Sequence, residues 1–333
     1  MRFALSSEQR DFAGSLRKMC DAASTPAAIR AWGEGDADGG RALIRQLAGA
    51  GALGLAVAEE FDGMGAETID LVVAAQEFGR AAVPGPLVET AAVIPALLQA
   101  LDDSGPAQRW LPGIAEGGAL GTIALSPQTP AVDADSADVV LLVDDDGLYT
   151  ARPGDRIESV DAARRLYSLS ADELVAQGDS VRAAAAAAFD AGALAVAAQL
   201  LGAGKAMLDT SVAYVIQRRQ FGQPIGRYQA IKHHLADAKI GLDMAEPLLH
   251  RAALTFGTAD RARDVSAAKV ACADAAYRTA RIALQVHGAI GYTAECDLSL
   301  WITKATALRS AWGTADFHRA RVAAALRSPG GEA

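Results

Sequence analysis

The sequence predicts a mostly α-helical protein with a small β segment between two helical regions. Three observations support this prediction. Ala and Leu dominate the composition and only 5% of the residues are aromatic, which favours helices over strands. Long apolar-periodic stretches, punctuated by glycine or proline, occupy both terminal parts of the chain. Between them lie short β-branched runs that are typical of strands.

The first region, residues 1–117, is predicted to be a helical domain. Its first helix begins at Ser6 or Ser7, because a serine hydroxyl can accept a hydrogen bond from a free backbone N–H of the first turn. Three further helix candidates are the stretches 68–80, 91–101 and 107–114.

The middle region, residues 118–182, is predicted to be a small β domain. A hairpin is expected from the run Ala137–Val143, the turn Asp144-Asp-Asp-Gly147 and the run Leu148–Ala151. An earlier strand candidate is 120–125, and further short strands fit between residues 157 and 174.

The last region, residues 183–328, is predicted to be an antiparallel four-helix bundle, since long Ala-rich helices pack closely side by side. Its four helical segments are 184–219, 226–256, 261–288 and 296–327. Residues 329–333 are predicted to form a loose tail.

Composition excludes several classes of function. The net charge of −9 and the lack of a dense basic stripe argue against nucleic-acid binding. Cys20, Cys272 and Cys296 have no metal-ligand spacing, so we expect free thiols and no metal site. The apolar stretch 183–201 contains Asp190 and Gln199, which indicates a buried helix and not a membrane span. No signal peptide is visible, and we expect a soluble cytoplasmic protein.

Two motifs point to a specific chemistry. Between the first two bundle segments the chain contains Arg218-Arg-Gln-Phe-Gly-Gln-Pro-Ile-Gly-Arg-Tyr-Gln229. About sixty residues later comes Gln285-Val-His-Gly-Ala-Ile-Gly-Tyr292. These motifs, in this order of helical, β and helical regions, resemble the FAD-dependent acyl-CoA dehydrogenase family. The resemblance covers essentially the whole chain and is strongest from Phe189 to Val322.

The resemblance implies that the first motif binds FAD. Arg218 matches the family's arginine on the FAD diphosphate, a role that suits the paired donors of a guanidinium group. Gln229 matches the glutamine that closes the motif, and Gln220 and Phe221 belong to the loop between them. Taken alone, Arg218 is better explained as a solvated helix end, and it is the surrounding motif that favours cofactor binding.

The second motif resembles the family's Gln-x-x-Gly-Gly-x-Gly-Tyr, with Ala289 in place of the second glycine. The resemblance implies that it contacts the adenosine side of FAD, although a helix C-terminal turn explains the same glycines. A third stretch, after Trp312 and Gly313, matches another FAD-contacting segment. The implied cofactor residues of these two stretches are Gln285, Val286, His287, Gly288, Ala289, Thr314, Ala315 and Asp316.

The family's catalytic base is missing from both of its known places. A carboxylate must remove the α-proton of the acyl thioester while the β-hydrogen leaves as hydride to the flavin. Trp312 stands at one glutamate position and Gly192 at the other. Ala193 replaces the neighbouring arginine that binds CoA in relatives, and the β segment lacks the family's flavin-contacting stretch.

Three interpretations follow. The chain could be the short, base-lacking subunit of a heteromeric acyl-CoA dehydrogenase, of the kind found in actinobacteria, and supply its motifs to the FAD of a catalytic partner. It could instead be a self-sufficient homo-oligomer with a displaced base, for which Asp316 and then Asp190 are the candidates. It could also be a non-enzymatic scaffold. Electron-transferring flavoprotein is the acceptor implied by the family.

Overall fold

The computed structural model describes residues 3–144, 147–293 and 295–327, which are mostly helical. They form two compact units. One contains Leu5–Ala74 and Val83–Ala195, and the other contains Ala75–Ala82 and the described residues from Val196 onward. The finer division into an N-terminal, a middle and a C-terminal domain stays a prediction.

The N-terminal region is helical, as predicted, and its first helix begins with a capping box. Ser6 Oγ accepts a hydrogen bond from the Gln9 backbone N–H at 3.1 Å, and Gln9 Oε1 accepts one from the Ser6 N–H at 3.0 Å. The cap is therefore Ser6 and not Ser7. The helices are α1 (Ser7–Ala22), α2 (Thr25–Glu34), α3 (Asp38–Gly49), α4 (Thr68–Arg80), α5 (Ile94–Leu98), which follows a π-helical turn at Glu89–Val93, and α6 (Gly105–Ala115).

The middle region forms one five-stranded sheet. Its strands are β1 (Gly121–Ala124), β2 (Ala131–Val132), β3 (Val139–Asp144), β4 (Gly147–Ile157) and β5 (Leu166–Gln177), in the spatial order β1-β3-β4-β5-β2. Strands β1 and β3 pair in parallel, and the β2–β5, β3–β4 and β4–β5 pairs are antiparallel. The β3–β4 hairpin is confirmed, although residues 145 and 146 of its turn lie outside the described residues. Strands β4 and β5 are longer than predicted because their outer parts are solvent-exposed, so no apolar alternation marks them.

A buried charged cluster joins α2 to this sheet. Asp133 Oδ1 accepts hydrogen bonds from Trp32 Nε1 at 3.0 Å and from Arg165 Nε at 3.2 Å. Arg165 also pairs with Asp135 at 3.0 Å. The Asp133 Oδ2 atom has no partner among the described residues. Burial raises the pKa of Asp133 to about 6, in spite of the lowering effects of Trp32 and Arg165.

This pKa predicts a stability change with pH. Since the Asp133 pKa lies above its usual value near 3.8, the folded state takes up a proton before the unfolded state as pH falls. The contribution of this proton uptake to stability is complete below the pKa of Asp133 in the unfolded state, and it is lost as pH rises through about 6. From about pH 7 to about pH 5, we expect the unfolding free energy of the wild type to gain about 1 kcal/mol relative to Asp133→Asn.

Urea denaturation at several pH values measures this difference. Asp172→Asn is the matched control, because the Asp172 carboxylate lies near the surface beside the exposed Arg152. A difference between the wild type and Asp133→Asn that stays constant over this pH range would contradict the prediction.

The C-terminal region consists of three long and two shorter helices, of which α8 and α9 run antiparallel. They are α7 (Asp179–Gln217), α8 (Gln229–Leu254), α9 (Arg261–His287), α10 (Leu298–Ser310) and α11 (Ala315–Arg327). Arg251, late in α8, pairs with Asp264, early in α9, at 2.9 Å, whereas Arg278, late in α9, lies 3.8 Å from Asp237, early in α8. The predicted boundaries of the first three segments are correct to within five residues.

The prediction of one helix over 296–327 is wrong. Trp312 and Gly313 have positive φ values of 54° and 98°, which interrupt the helix between α10 and α11. The predicted tail, 329–333, lies outside the described residues.

Helix α7 is long and apolar enough to cross a membrane by length and composition. Within the protein, however, 78% of its most apolar window is buried. The core helix of a globular protein meets the same test, so the apolar stretch is accounted for by internal packing.

Candidate functional site

The loop between α7 and α8 is an ordered β-hairpin. Its two short strands are β6 (Arg219–Gln220) and β7 (Gln223–Pro224), which pair antiparallel. Phe221 and Gly222, at φ values of 50° and 82°, form the two-residue turn, a conformation that glycine adopts without strain. The backbone N–H of Ile225 donates to the Arg218 carbonyl at 2.8 Å. This hairpin fixes the backbone on which Arg218 stands.

The Arg218 side chain is exposed and makes no ion pair or hydrogen bond within residues 3–144, 147–293 and 295–327. Residues 218–236 contain four Arg or Lys residues and no Asp or Glu, in a chain with a net charge of −9. Gln220 and Gln229 are also exposed. This end of the bundle therefore presents unneutralised cations and amide groups, which suit a diphosphate.

The second motif lies at the same end of the bundle. His287 is the last residue of α9, and its ring stacks on Tyr214 of α7 with 4.2 Å between ring centroids. Tyr214 precedes Arg218 by one helical turn. His287 Nδ1 lies 2.8 Å from the Ala283 carbonyl oxygen, and burial lowers the His287 pKa. His287 is therefore a packed, neutral ring near pH 7, which fixes the C-terminus of α9 against α7.

The remaining residues of that motif divide by exposure. Gln285, Gly288 and Ala289 are exposed, whereas Val286 is buried in the core. Gly288 has a φ of 66° and ends the helix, as the alternative reading of a C-terminal turn predicts. The exposed members are available to a ligand, and Val286 can reach one only through its backbone.

The third predicted stretch borders an open cavity of about 410 Å³. Thr314, Ala315 and Asp316 form part of its wall, together with Tyr277, Thr306, Arg309, Ser310 and Arg319. Thr314 Oγ1 accepts a hydrogen bond from the Phe317 backbone N–H at 3.3 Å, at the start of α11. Sequence reasoning missed Arg309 and Arg319, which lie near Asp274 at 3.9 and 2.7 Å.

This stretch is not brought together with the other two motifs. Tyr277, which lines the cavity beside Thr314, precedes Gln285 by eight residues on α9, or about 12 Å along the helix axis. The cofactor residues predicted from the sequence therefore fall into two groups at different positions along α9. One group surrounds Arg218 and Gln285, and the other surrounds Thr314.

The turn at Trp312 is held by buried polar groups. His318 is fully buried; its Nε2–H donates to the Trp312 carbonyl at 2.8 Å and its Nδ1 accepts from Ser266 Oγ at 3.0 Å. A Cβ on Gly313 would lie 2.5 Å from His318 Nε2, so only glycine fits there. Lys269 Nζ, itself buried, donates to the Leu308, Arg309 and Gly313 carbonyls at 3.3, 3.0 and 3.4 Å.

The candidate base positions carry no carboxylate. Trp312 is half-buried, Gly192 is buried and Ala193 is fully buried. Asp316, the candidate displaced base, has a side chain that is 96% exposed and lies 3.3 Å from Arg319. Asp190 is 1% exposed and has an interaction partner inside the protein.

Comparison with known proteins agrees with this arrangement. Residues 6–118 match the acyl-CoA dehydrogenase N-terminal domain, and residues 182–327 match the acyl-CoA dehydrogenase C-terminal domain. The chain belongs to the acyl-CoA dehydrogenase family. It is thus an oxidoreductase of the type that acts on CH–CH bonds.

Individual relatives extend over nearly the whole chain. Acyl-CoA dehydrogenase IpdE2 of Mycolicibacterium smegmatis is 31% identical over 310 residues, covering 90% of this chain and 93% of the relative. Butyryl-CoA dehydrogenase of Megasphaera elsdenii shares the fold with a TM-score of 0.85 at 22% identity, covering 98% of this chain and 100% of that one. The ChsE4-ChsE5 complex of Mycobacterium tuberculosis gives 0.87 at 22% identity, covering 99% and 100%.

Among the described residues, no group of three or more His, Cys, Asp or Glu side chains is placed to hold a metal ion. Cys20, Cys272 and Cys296 are free thiols, as predicted, and the first two are buried.

Proposed function

We propose that this chain is the subunit of a heteromeric acyl-CoA dehydrogenase that completes the FAD site of a catalytic partner without supplying the base. The observation that supports this most directly is the contrast between its two groups of residues. Arg218, with Gln229 and Gln285 in the motifs around it, is exposed and unneutralised. In the other group, Trp312 stands where the resemblance places the base.

FAD fits the first group. A diphosphate is the kind of anion that an unpaired guanidinium group binds, and Gln285 offers an amide for the adenosine side. Bound FAD would supply the hydride acceptor, and the chain's own residues would hold its diphosphate. The partner would supply the base, the acyl-CoA pocket and the flavin-contacting β domain. Electron-transferring flavoprotein is the acceptor we propose, and the cytoplasm the location.

One structural relative and three substitutions in this chain support a paired arrangement. The ChsE4-ChsE5 complex, whose fold this chain shares, is named for two subunits. The chain also lacks a carboxylate at both positions where the resemblance places the base, and an arginine at the CoA position. A subunit that depends on a partner for these groups accounts for all three substitutions.

The self-sufficient homo-oligomer is the second candidate, because Asp316 borders the cavity of about 410 Å³. Its carboxylate is solvated and lies beside Arg319, whereas proton abstraction from a thioester requires a base in a dry pocket. A pure scaffold, the third candidate, has no use for an unneutralised Arg218 hairpin.

The test is the flavin absorbance and mass of the chain purified alone and co-expressed with an adjacent acyl-CoA dehydrogenase gene. We expect a colourless chain alone and about one FAD per pair of different chains in the complex. About one FAD per chain in a homo-oligomer would overturn the proposal in favour of the second candidate. A colourless protein in both preparations would favour the third candidate, a scaffold without flavin chemistry.

A further inference from the structure

Arg281 is an exposed cation on α9 that no described residue neutralises. It forms no ion pair and no side-chain hydrogen bond within the part of the chain that the structure describes. It precedes Gln285 by four residues, so the two side chains lie on one face of the helix with their Cβ atoms about 6 Å apart. Arg281 therefore stands beside a residue of the candidate cofactor site.

The neighbouring arginine behaves differently. Arg278, one turn earlier on the same face, lies 3.8 Å from Asp237 of α8. Because α8 and α9 are antiparallel, the next turn of α8 toward the hairpin carries His233 and His234, both exposed. Residues 229–236 of α8 contain no Asp or Glu, so this stretch places no carboxylate opposite Arg281 as Asp237 is placed opposite Arg278. The pairing of opposite charges between α8 and α9 therefore ends before the helical turn that carries Arg281 and Gln285.

The charge of the surrounding segment has the same sign. Residues 218–236, which contribute the hairpin and the first turns of α8, contain four Arg or Lys residues and no acidic residue. A local cationic excess in a chain of net charge −9 costs self-repulsion unless an anion neutralises it. A ligand with more than one negative charge is therefore favoured at this end of the bundle.

We propose that Arg281 is a further cofactor-binding residue, which binds the phosphate groups of an adenosine diphosphate moiety whose adenosine lies at Gln285. This inference rests on the proposed function. FAD and CoA both contain that moiety. The assignment to FAD follows from the shared face with Gln285, which the family resemblance places on FAD.

The experiment is a fluorescence-quenching titration of FAD into apoprotein of the flavin-holding complex, with a parallel titration of CoA. Arg281→Ala is compared with Arg281→Lys, which keeps the charge but not the paired donors. The matched control is Arg278→Ala, which removes the same charge from the same helix face where Asp237 already neutralises it. Circular dichroism melting of each variant verifies folding.

We expect Arg281→Ala to weaken FAD binding about tenfold or more, Arg281→Lys to weaken it less, and Arg278→Ala to leave it unchanged. Equal losses of FAD affinity in Arg281→Ala and Arg278→Ala would show that the effect comes from overall charge. They would refute a direct contact between Arg281 and FAD. A loss of CoA affinity with unchanged FAD affinity would overturn the assignment to FAD. Unchanged binding of both ligands would refute a role for Arg281.

These results are separable from a failure of the proposed function. If the wild-type complex holds no FAD, or if Arg218→Ala leaves FAD binding intact, the proposed function is refuted. If Arg218→Ala weakens FAD binding and Arg281→Ala does not, only the inference about Arg281 is refuted.

Discussion

Replacing Arg218 by alanine is expected to weaken FAD binding by the complex about a hundredfold. A guanidinium group that donates two charge-assisted hydrogen bonds to a diphosphate contributes about 3 kcal/mol, which corresponds to that factor. The variant complex should therefore lose most of its flavin during purification. Flavin absorbance per complex and a titration with FAD measure the effect.

The effect is expected to be confined to ligand binding, because the Arg218 side chain contributes little to the stability of the free protein. Arg218 is exposed and makes no ion pair or side-chain hydrogen bond with the described residues, so its removal leaves no buried partner unsatisfied. The hairpin backbone is held independently, by the Ile225 N–H on the Arg218 carbonyl and by the Tyr228 hydroxyl on the Gln220 carbonyl. Folding should survive the change, and the loss should appear in ligand binding alone.

Arg219→Ala is the matched control. It removes the same charge from the adjacent residue, whose Nη2 donates to the Gly222 carbonyl at 3.3 Å within its own turn. We expect less than a threefold change in FAD affinity for this control. Similar losses in both variants would indicate general electrostatics, and an unchanged Arg218→Ala complex would remove the main support for the proposed function.

The sequence predicts most of the helical framework because its signals are local. The serine cap at the start of α1 and the helix over residues 68–80 each depend on residues close together in the chain. The β3–β4 hairpin follows from apolar runs around a turn. For the same reason, the approximate limits of α7, α8 and α9 can be derived from periodicity and glycine punctuation.

The features that the sequence does not predict depend on distant contacts. The break at Trp312 requires Lys269 and His318, which approach it from α9 and α11. The burial of Asp133 requires Trp32 and Arg165, 101 and 32 residues away, so the acidic segment around it resembles a solvated loop in sequence. The separation of Thr314 from Gln285 is likewise a consequence of helix packing.

Loss of the Lys269 ammonium group is expected to destabilise the C-terminal helices. Lys269 is only 1% exposed. Its ammonium group donates hydrogen bonds to two carbonyls at the C-terminus of α10 and to one in the turn that follows. Those carbonyls have no partner in the helix, and a cation there also interacts favourably with the helix dipole. We expect Lys269→Met, which keeps the apolar stem, to lower the unfolding free energy by about 3 kcal/mol.

Urea denaturation followed by circular dichroism measures this change, with Lys239→Met as the control. Lys239 is a lysine of α8 with a 63% exposed side chain that pairs with Asp243 one turn away, so its loss should cost less than about 0.5 kcal/mol. The two variants remove the same charge and add the same thioether. A Lys269→Met protein as stable as the control would mean that water or a rearranged turn satisfies the α10 carbonyls. If the loss occurs, the turn that positions Trp312 is held by a cation from α9, and α9 also carries Gln285 and Arg281.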